Sequence, residues 1–393
     1  MKIDRRTLLG MLPAFLIRTE LKIVGRRRAR EAGIRFGRLS PGRWNAITDV
    51  PGVLVGHSTI VRGSGPLKVG QGPVRTGVTV VWPHPDIFRE YVPAGFLVLN
   101  GNGEMTGLSQ IARLGVISSP FFLTNTSSVG MVYDAVLNHP KADRTMVPVV
   151  GETWDAFLND IEGRHVHAED VYAAMDRAST GPVAEGNVGG GTGMVCYQFK
   201  GGIGTASRRL PPPLQRFTLG VLVQANCGAR EELRIDGVPV GEEITGLRPQ
   251  PDEASYLNSI LIVIATDAPL LDYQLDRLAR RAAMGLARTG TISRNSSGDF
   301  AIAFSTANKV AAEVFRSGQP HRWSSVEQYH VEGLLDAVGE ATEEAIVNAL
   351  FAATDMTGRD GHVVHAIPID RVLRIMERHH RLFRGKEKKI AAL

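Results

Sequence analysis

Seven apolar runs of strand length constrain this chain more than any other feature: Val78–Trp82, Phe96–Leu99, Met146–Val150, Met194–Phe199, Phe217–Gln224, Ile260–Ala265 and Phe300–Phe304. Each is bounded by Gly, Pro or Asn and rich in β-branched or aromatic residues, which predicts strands buried within sheets. Helix-period patterns lie between them, over Glu104–Leu114, Glu169–Ser179, Leu270–Leu286, Ser325–Thr354 and Pro368–Leu382. In the fourth, Val331, Leu334, Leu335 and Val338 fall on one helical face. Strands interleaved with helices imply a layered α/β domain whose helices cover the sheet faces. With 393 residues, 43% of them hydrophobic, the chain is long enough for a large core.

Charge excludes one class of function. The net charge is +5, but residues 1–38 alone hold eleven Lys/Arg and three Asp/Glu, so the body is slightly acidic. It carries no patterned basic stripe and no nucleic-acid motif. The first residues, "MKIDRRTLLGMLPAFLIRTELK", join Arg5-Arg6 to the apolar stretch Leu8–Ile17, the layout of a twin-arginine export signal. No A-x-A-like cleavage site follows, so the periplasm and the cytoplasm both stay open. Residues 1–25 are therefore set apart as a basic, apolar extension. Leu8–Ile17 is too short to cross a bilayer as a helix, and no later window is a membrane span.

The glycine tract 185–209, "EGNVGGGTGMVCYQFKGGIGTASRR", invites a nucleotide-binding reading that its spacing does not support. Gly189 and Gly191 would need a third glycine where Met194 stands, and Lys200 precedes its glycines instead of closing a phosphate loop. Tight turns and close backbone approach around a pocket explain the glycines better. His165-x-His167 and His362-x-x-His365 lack the further ligands that a metal site needs. Cys196 and Cys227, the only cysteines, read as small core residues.

Ser259 raises a sharper question. It stands directly before the strand run Ile260–Ala265, behind the polar, proline-broken segment 243–258. Asn258-Ser259 has the character of a self-processing junction, in which a hydroxyl attacks the preceding carbonyl and an N→O acyl shift follows. Hydrolysis of that ester would free an α-amine beside the serine Oγ, with an ordinary pKa of about 7.7–8.0, able to serve as a base near neutral pH.

The stretches "RAREAGIRFGRLSPGRWNAITDVPGVLVGH" (28–57), "LNGNGEMTGL" (99–108), "TNTSSVG" (124–130), "PVVGETWDAFLND" (148–160), "VLVQANCG" (221–228), "NSILIVIATDAPLL" (258–271), "SGDFAIAFSTAN" (297–308) and "TDMTGRDGHVVHAIP" (354–368) occur in order along the chain. In them, and in the glycine tract, the sequence resembles the DmpA-like self-processing aminopeptidases. This family includes the L-aminopeptidase/D-Ala-esterase-amidases and the β-peptidyl aminopeptidases. The resemblance implies that Ser259 is the nucleophile, that Ser297 and Asp299 are the accessory serine and acid, and that Asn226 is an oxyanion donor. It also implies substrate contacts near Asn102, Gly103 and Trp154. Two departures stand out: Trp154 and Phe157 occupy "ETWDAF" where a pocket tyrosine is expected, and Cys227 follows Asn226 where a larger residue is expected.

By the same resemblance the fold is an α/β four-layer αββα sandwich of the N-terminal-nucleophile-hydrolase type, built jointly by residues 26–258 and 259–393. The implied activity is a serine aminopeptidase that is also an amidase and esterase. It releases N-terminal residues from short peptides, amides or esters without metal or organic cofactor. The implied assembly is a homotetramer of processed heterodimers. Two alternatives stay open: a binding homologue that has lost turnover, and a nucleotide-using enzyme.

Overall fold

The computed structural model describes residues 26–142, 146–250 and 258–383. The extension 1–25, with its possible export signal, lies outside the described residues, as do residues 251–257 ahead of the Asn258–Ser259 junction. The strands that form the two sheets, apart from the short Val116–Ile117 paired to β3, are β1 (Leu54–Arg62), β2 (Val74–Trp82), β3 (Glu90–Gly101), β4 (Phe121–Asn125), β5 (Val149–Thr153), β6 (Gly202–Arg209), β7 (Thr218–Asn226), β8 (Ser259–Thr266), β9 (Gly298–Ser305) and β10 (Val310–Ala311). The helices that cover them are α1 (Val129–Leu137), α2 (Ala168–Asp176), α3 (Asp272–Arg288) and α4 (Glu332–Ala352), with α5 (Ile369–Arg378) the last helix among the described residues.

One sheet runs in the order β1-β2-β4-β5, the other β10-β3-β9-β8-β7-β6. Neighbours are antiparallel except β4/β5 and β8/β9. Parallel neighbours need a crossover, and α1 and α3 supply it. Helices α1 and α2 cover the first sheet, while α3 and α4 cover the second. The layers are therefore α, β, β, α, as expected.

Alternation along each strand assigns side chains to one of two cores. On β8, Leu261, Val263 and Ala265 enter the core between the sheets with Val81, Phe121, Leu222 and Phe300. Ile260, Ile262 and Ile264 enter the other core, beneath α3 and α4, with Val221, Val223, Leu278 and Ile346. Each such side chain contributes about 1.5–3 kcal/mol on full burial. Polar ties also join the sheets: Gln224 Nε2 donates to the Thr124 carbonyl at 2.9 Å and to Thr153 Oγ1 at 2.7 Å.

Some sequence expectations need correction. Met194–Phe199 is not a strand but part of a tight hairpin, Val195–Cys196 paired with Phe199–Lys200, turning at Tyr197 and Gln198 with φ of 51° and 56°. The run Met146–Val150 reaches β5 only at its end, and the helix expected from Glu104 begins at Leu108. Strands β1, β4 and β6 and helix α1 were not foreseen.

Candidate active site

Ser259 opens β8, and its cross-strand partner on β7 is Asn226. Antiparallel partners share a face, and the parity that sends Leu222 and Leu261 between the sheets places Asn226 and Ser259 there too. Both are almost fully buried, at 2% and 4% exposure. On the other side of Ser259 lies Gly298, whose N–H donates to the carbonyl oxygen of Asn258 at 3.1 Å. The carbonyl of the Asn258–Ser259 peptide is thus already hydrogen-bonded and polarised.

Asp299 pairs with Ile260, one step further along, and so lies on the opposite face from Ser259. Ser297 Oγ donates to Asp299 Oδ1 at 2.7 Å, and both residues are buried. Burial raises the Asp299 pKa, while hydrogen bonds from Ser297, Ser293 and the Ile260 backbone work against that rise. The carboxylate is placed to act on the hydroxyl of Ser297.

Three chain segments frame this centre. The hairpin at 195–200 brings the Val195 N–H to Asn226 Oδ1 at 2.7 Å. Val195 also joins Phe157 and Val364 in a small apolar cluster, against which half-buried Trp154 and Met356 pack. The loop Asn102–Gly103 leans on the start of β9. The Asn102 N–H donates to the Ser297 carbonyl at 3.3 Å, and its side-chain amide to the Ser296 carbonyl at 2.8 Å. That amide is committed to bracing the loop, so what Asn102 and Gly103 present to the site is mainly backbone. A Cβ on Gly298 would stand 2.6 Å from the Asn102 carbonyl oxygen, so only glycine allows this approach.

Sequence reasoning missed Glu152. This β5 side chain is buried at 4% exposure, and its Oε1 accepts the Glu104 N–H at 3.1 Å. Its Oε2 accepts the Thr126 hydroxyl. A Cβ on Gly103 would come within 2.5 Å of Glu152 Oε1 and 3.6 Å of Gly298 Cα, so one glycine separates this carboxylate from the strand next to Ser259. Burial raises the Glu152 pKa.

Other features prove structural. Cys227 lines up with Val223 and Ala225 in the core beneath α3 and α4, with its Sγ 3.8 Å from Cys196 Sγ, so it does not widen the space beside Asn226. Lys200 is fully buried with its ammonium donating to main-chain carbonyls, which leaves it nothing to offer a phosphate. The glycine tract serves close approach: a Cβ on Gly191 would lie 2.5 Å from the Ile203 nitrogen. His165 Nε2 lies 2.7 Å from Asp160 Oδ2, and His362 Nδ1 lies 2.8 Å from the Phe157 carbonyl. Among the described residues no group of three or more His, Cys, Asp or Glu could hold a metal ion. No helix among them is long and apolar enough to cross a membrane.

Comparison with known proteins fits this geometry. The pattern of peptidase family S58 matches residues 45–364. The chain is 45% identical over 370 residues to the β-peptidyl aminopeptidase of Sphingosinicella xenopeptidilytica, covering 89% of this chain and 91% of that protein. A solved Burkholderia β-aminopeptidase is 47% identical with a TM-score of 0.83, over 90% of this chain and 99% of that one. The L-aminopeptidase/D-Ala-esterase-amidase of Ochrobactrum anthropi, described as a prototype for the serine aminopeptidases and a variant of the Ntn hydrolase fold, is 42% identical with a TM-score of 0.84, again over 90% of this chain and 99% of that one. This chain belongs to peptidase family S58 and is a hydrolase with this variant of the Ntn hydrolase fold.

Proposed function

We propose that the chain is a self-processing aminopeptidase that cuts itself between Asn258 and Ser259 and then releases N-terminal residues from short peptides, amides or esters. In the first stage Ser259 Oγ attacks the Asn258 carbonyl carbon, and the Gly298 N–H receives the developing charge on its oxygen. The C–N bond breaks as the ester forms. Water then cleaves the ester, leaving Asn258 with a carboxylate and Ser259 with a free α-amine.

In the second stage that amine takes the proton from Ser259 Oγ as the oxygen attacks the substrate carbonyl. The Asn226 amide faces the oxyanion, and such a donor is worth roughly 2.7–4 kcal/mol of transition-state stabilisation. Ser297, held by Asp299, orients and relays the proton. The leaving amine departs protonated, and water hydrolyses the acyl ester on Ser259. The substrate's own ammonium group would sit against Glu152, with its side chain near Trp154. No metal enters these steps. The proposed assembly, a homotetramer of processed heterodimers, follows from the family likeness.

One observation carries the reading: Ser259 and Asn226 are cross-strand partners on the inter-sheet face, and the hydrogen-bonded Ser297–Asp299 pair stands where the neighbouring strand β9 begins. The alternative of a binding homologue without turnover draws on the departures at Trp154 and Cys227, and Cys227 packs in the core beneath α3 and α4. A denaturing gel of purified protein should show two fragments, with Edman degradation of the smaller reading Ser-Ile-Leu-Ile. Ser259→Ala should give one inactive chain. Wild-type protein that hydrolyses aminoacyl p-nitroanilides while intact would overturn the proposal. Cleaved protein inactive on every such substrate would favour the binding homologue.

A further inference from the structure

Lys200 is completely buried, and its ammonium donates to three main-chain carbonyls, those of Met194 at 2.7 Å, Gly201 at 2.9 Å and Gly191 at 3.3 Å. Three donors meet three acceptors, so the group is satisfied. Taking a cation out of water is nevertheless unfavourable, and burial lowers its pKa to about 7 although Asp155 and Cys196 nearby act to raise it. An aliphatic side chain would fill the same volume without that penalty, so what the ammonium grips matters.

The carbonyl of Met194 and the N–H of Val195 belong to one peptide unit. That unit is planar, so turning one end turns the other. Its oxygen is held by the Lys200 ammonium and by the Gly201 N–H at 2.9 Å, and its N–H donates to Asn226 Oδ1 at 2.7 Å. A cation on the carbonyl also polarises the unit and strengthens its N–H as a donor. Because that donor demands an oxygen, it fixes which end of the Asn226 amide is which. The NH2 end then lies on the side of the amide away from Val195.

We infer that Lys200 is a positioning residue for catalysis: by gripping the Met194–Val195 peptide it aims the Asn226 amide at the oxyanion. This rests on the role proposed above for Asn226. Lys200 touches no reacting atom, so its removal acts on the transition state more than on substrate binding.

The test uses processed full-length enzyme and an aminoacyl p-nitroanilide, with rates normalised to cleaved protein. Lys200→Met should lower kcat by about 10²-fold, the scale of an ångström-level misplacement, with KM little changed. Added to Asn226→Ala, it should lower kcat no further. Val195→Pro, which deletes the N–H and keeps the Lys200 ammonium, should give a similar fall in kcat, and this readout stands even where Lys200→Met does not fold. Wild-type kcat in Lys200→Met or Val195→Pro beside an impaired Asn226→Ala overturns this inference alone. So does a Lys200→Met loss that adds in full to that of Asn226→Ala. Undiminished kcat in Asn226→Ala instead overturns the oxyanion reading and this inference with it.

Discussion

At Glu152 the strand β5 carries a carboxylate where its neighbours Val149 and Val150 are apolar, and both its oxygens are hydrogen-bonded, by Glu104 and Thr126. Burial raises its pKa, so the anion is held in a medium that resists it. A substrate ammonium arriving there relieves that cost, and a charge-assisted contact of this kind contributes about 1.5–3 kcal/mol. Glu152→Gln keeps the shape and one acceptor but loses the charge. Its KM for aminoacyl p-nitroanilides should rise roughly ten- to a hundredfold, with kcat much less affected. The sign with pH follows. The carboxylate ionises as pH rises through its raised pKa, so wild-type binding should tighten over that range and Glu152→Gln should not follow. Equal KM values for the two proteins would remove Glu152 from substrate recognition.

Elements differ in how openly the sequence announces them. Strands β7, β8 and β9 are buried on both faces, and an unbroken apolar run is how such strands read. Strand β6, "GIGTASRR", is equally central to the packing yet has little apolar signal, because α4 lies so close that side chains there must vanish. A Cβ on Gly204 would meet the Ala345 carbonyl oxygen at 2.0 Å and the Ala349 nitrogen at 2.6 Å. Gly204→Ala should therefore push α4 outward and lower stability by about 1–3 kcal/mol, visible as a lower Tm; an unchanged Tm would mean the helix gives way freely. The run at 194–199 misleads in the opposite direction, since its apolar residues enclose a turn at Tyr197 and Gln198, types that seldom adopt positive φ. Ser259, Asn226, Ser297 and Asp299 were legible as a set through their resemblance to a family. Glu152 was not, because the groups that reveal it, Glu104 and Thr126, come from distant turns of the chain. The link from Lys200 to Asn226 runs through one peptide bond, which no residue pattern displays.

The whole molecule keeps several charges inside. Arg208 is fully buried against Glu340 and Glu344 on α4, at 2.9 and 2.8 Å. Glu343, one residue earlier than Glu344, is less well matched: its nearest cation is Arg288 at 3.7 Å, and burial raises its pKa to about 7. A carboxylate whose folded pKa exceeds the unfolded one favours the fold while both states are protonated, and that advantage is lost as pH climbs towards the folded value. Glu343→Gln removes this loss. The Tm of the variant relative to wild type should therefore rise between about pH 5 and about pH 8, as calorimetry at both would show; a constant difference would mean that Glu343 stays ionised throughout.

The strand order of the larger sheet has a further consequence. Strands β8 and β9, both downstream of Asn258, are inserted between β3 on one side and β7 on the other, both upstream of it. Severing the backbone at that point leaves two polypeptides woven through one another, and neither can leave without opening the sheet along three ladders, β10/β3, β3/β9 and β8/β7. The shape is acquired as a one-body event and, once cut, would have to be regained as a two-body one. Dilution after denaturation should thus impair recovery of the nicked enzyme and spare the uncut Ser259→Ala chain, so that the history of a single bond becomes measurable in the order of its refolding kinetics.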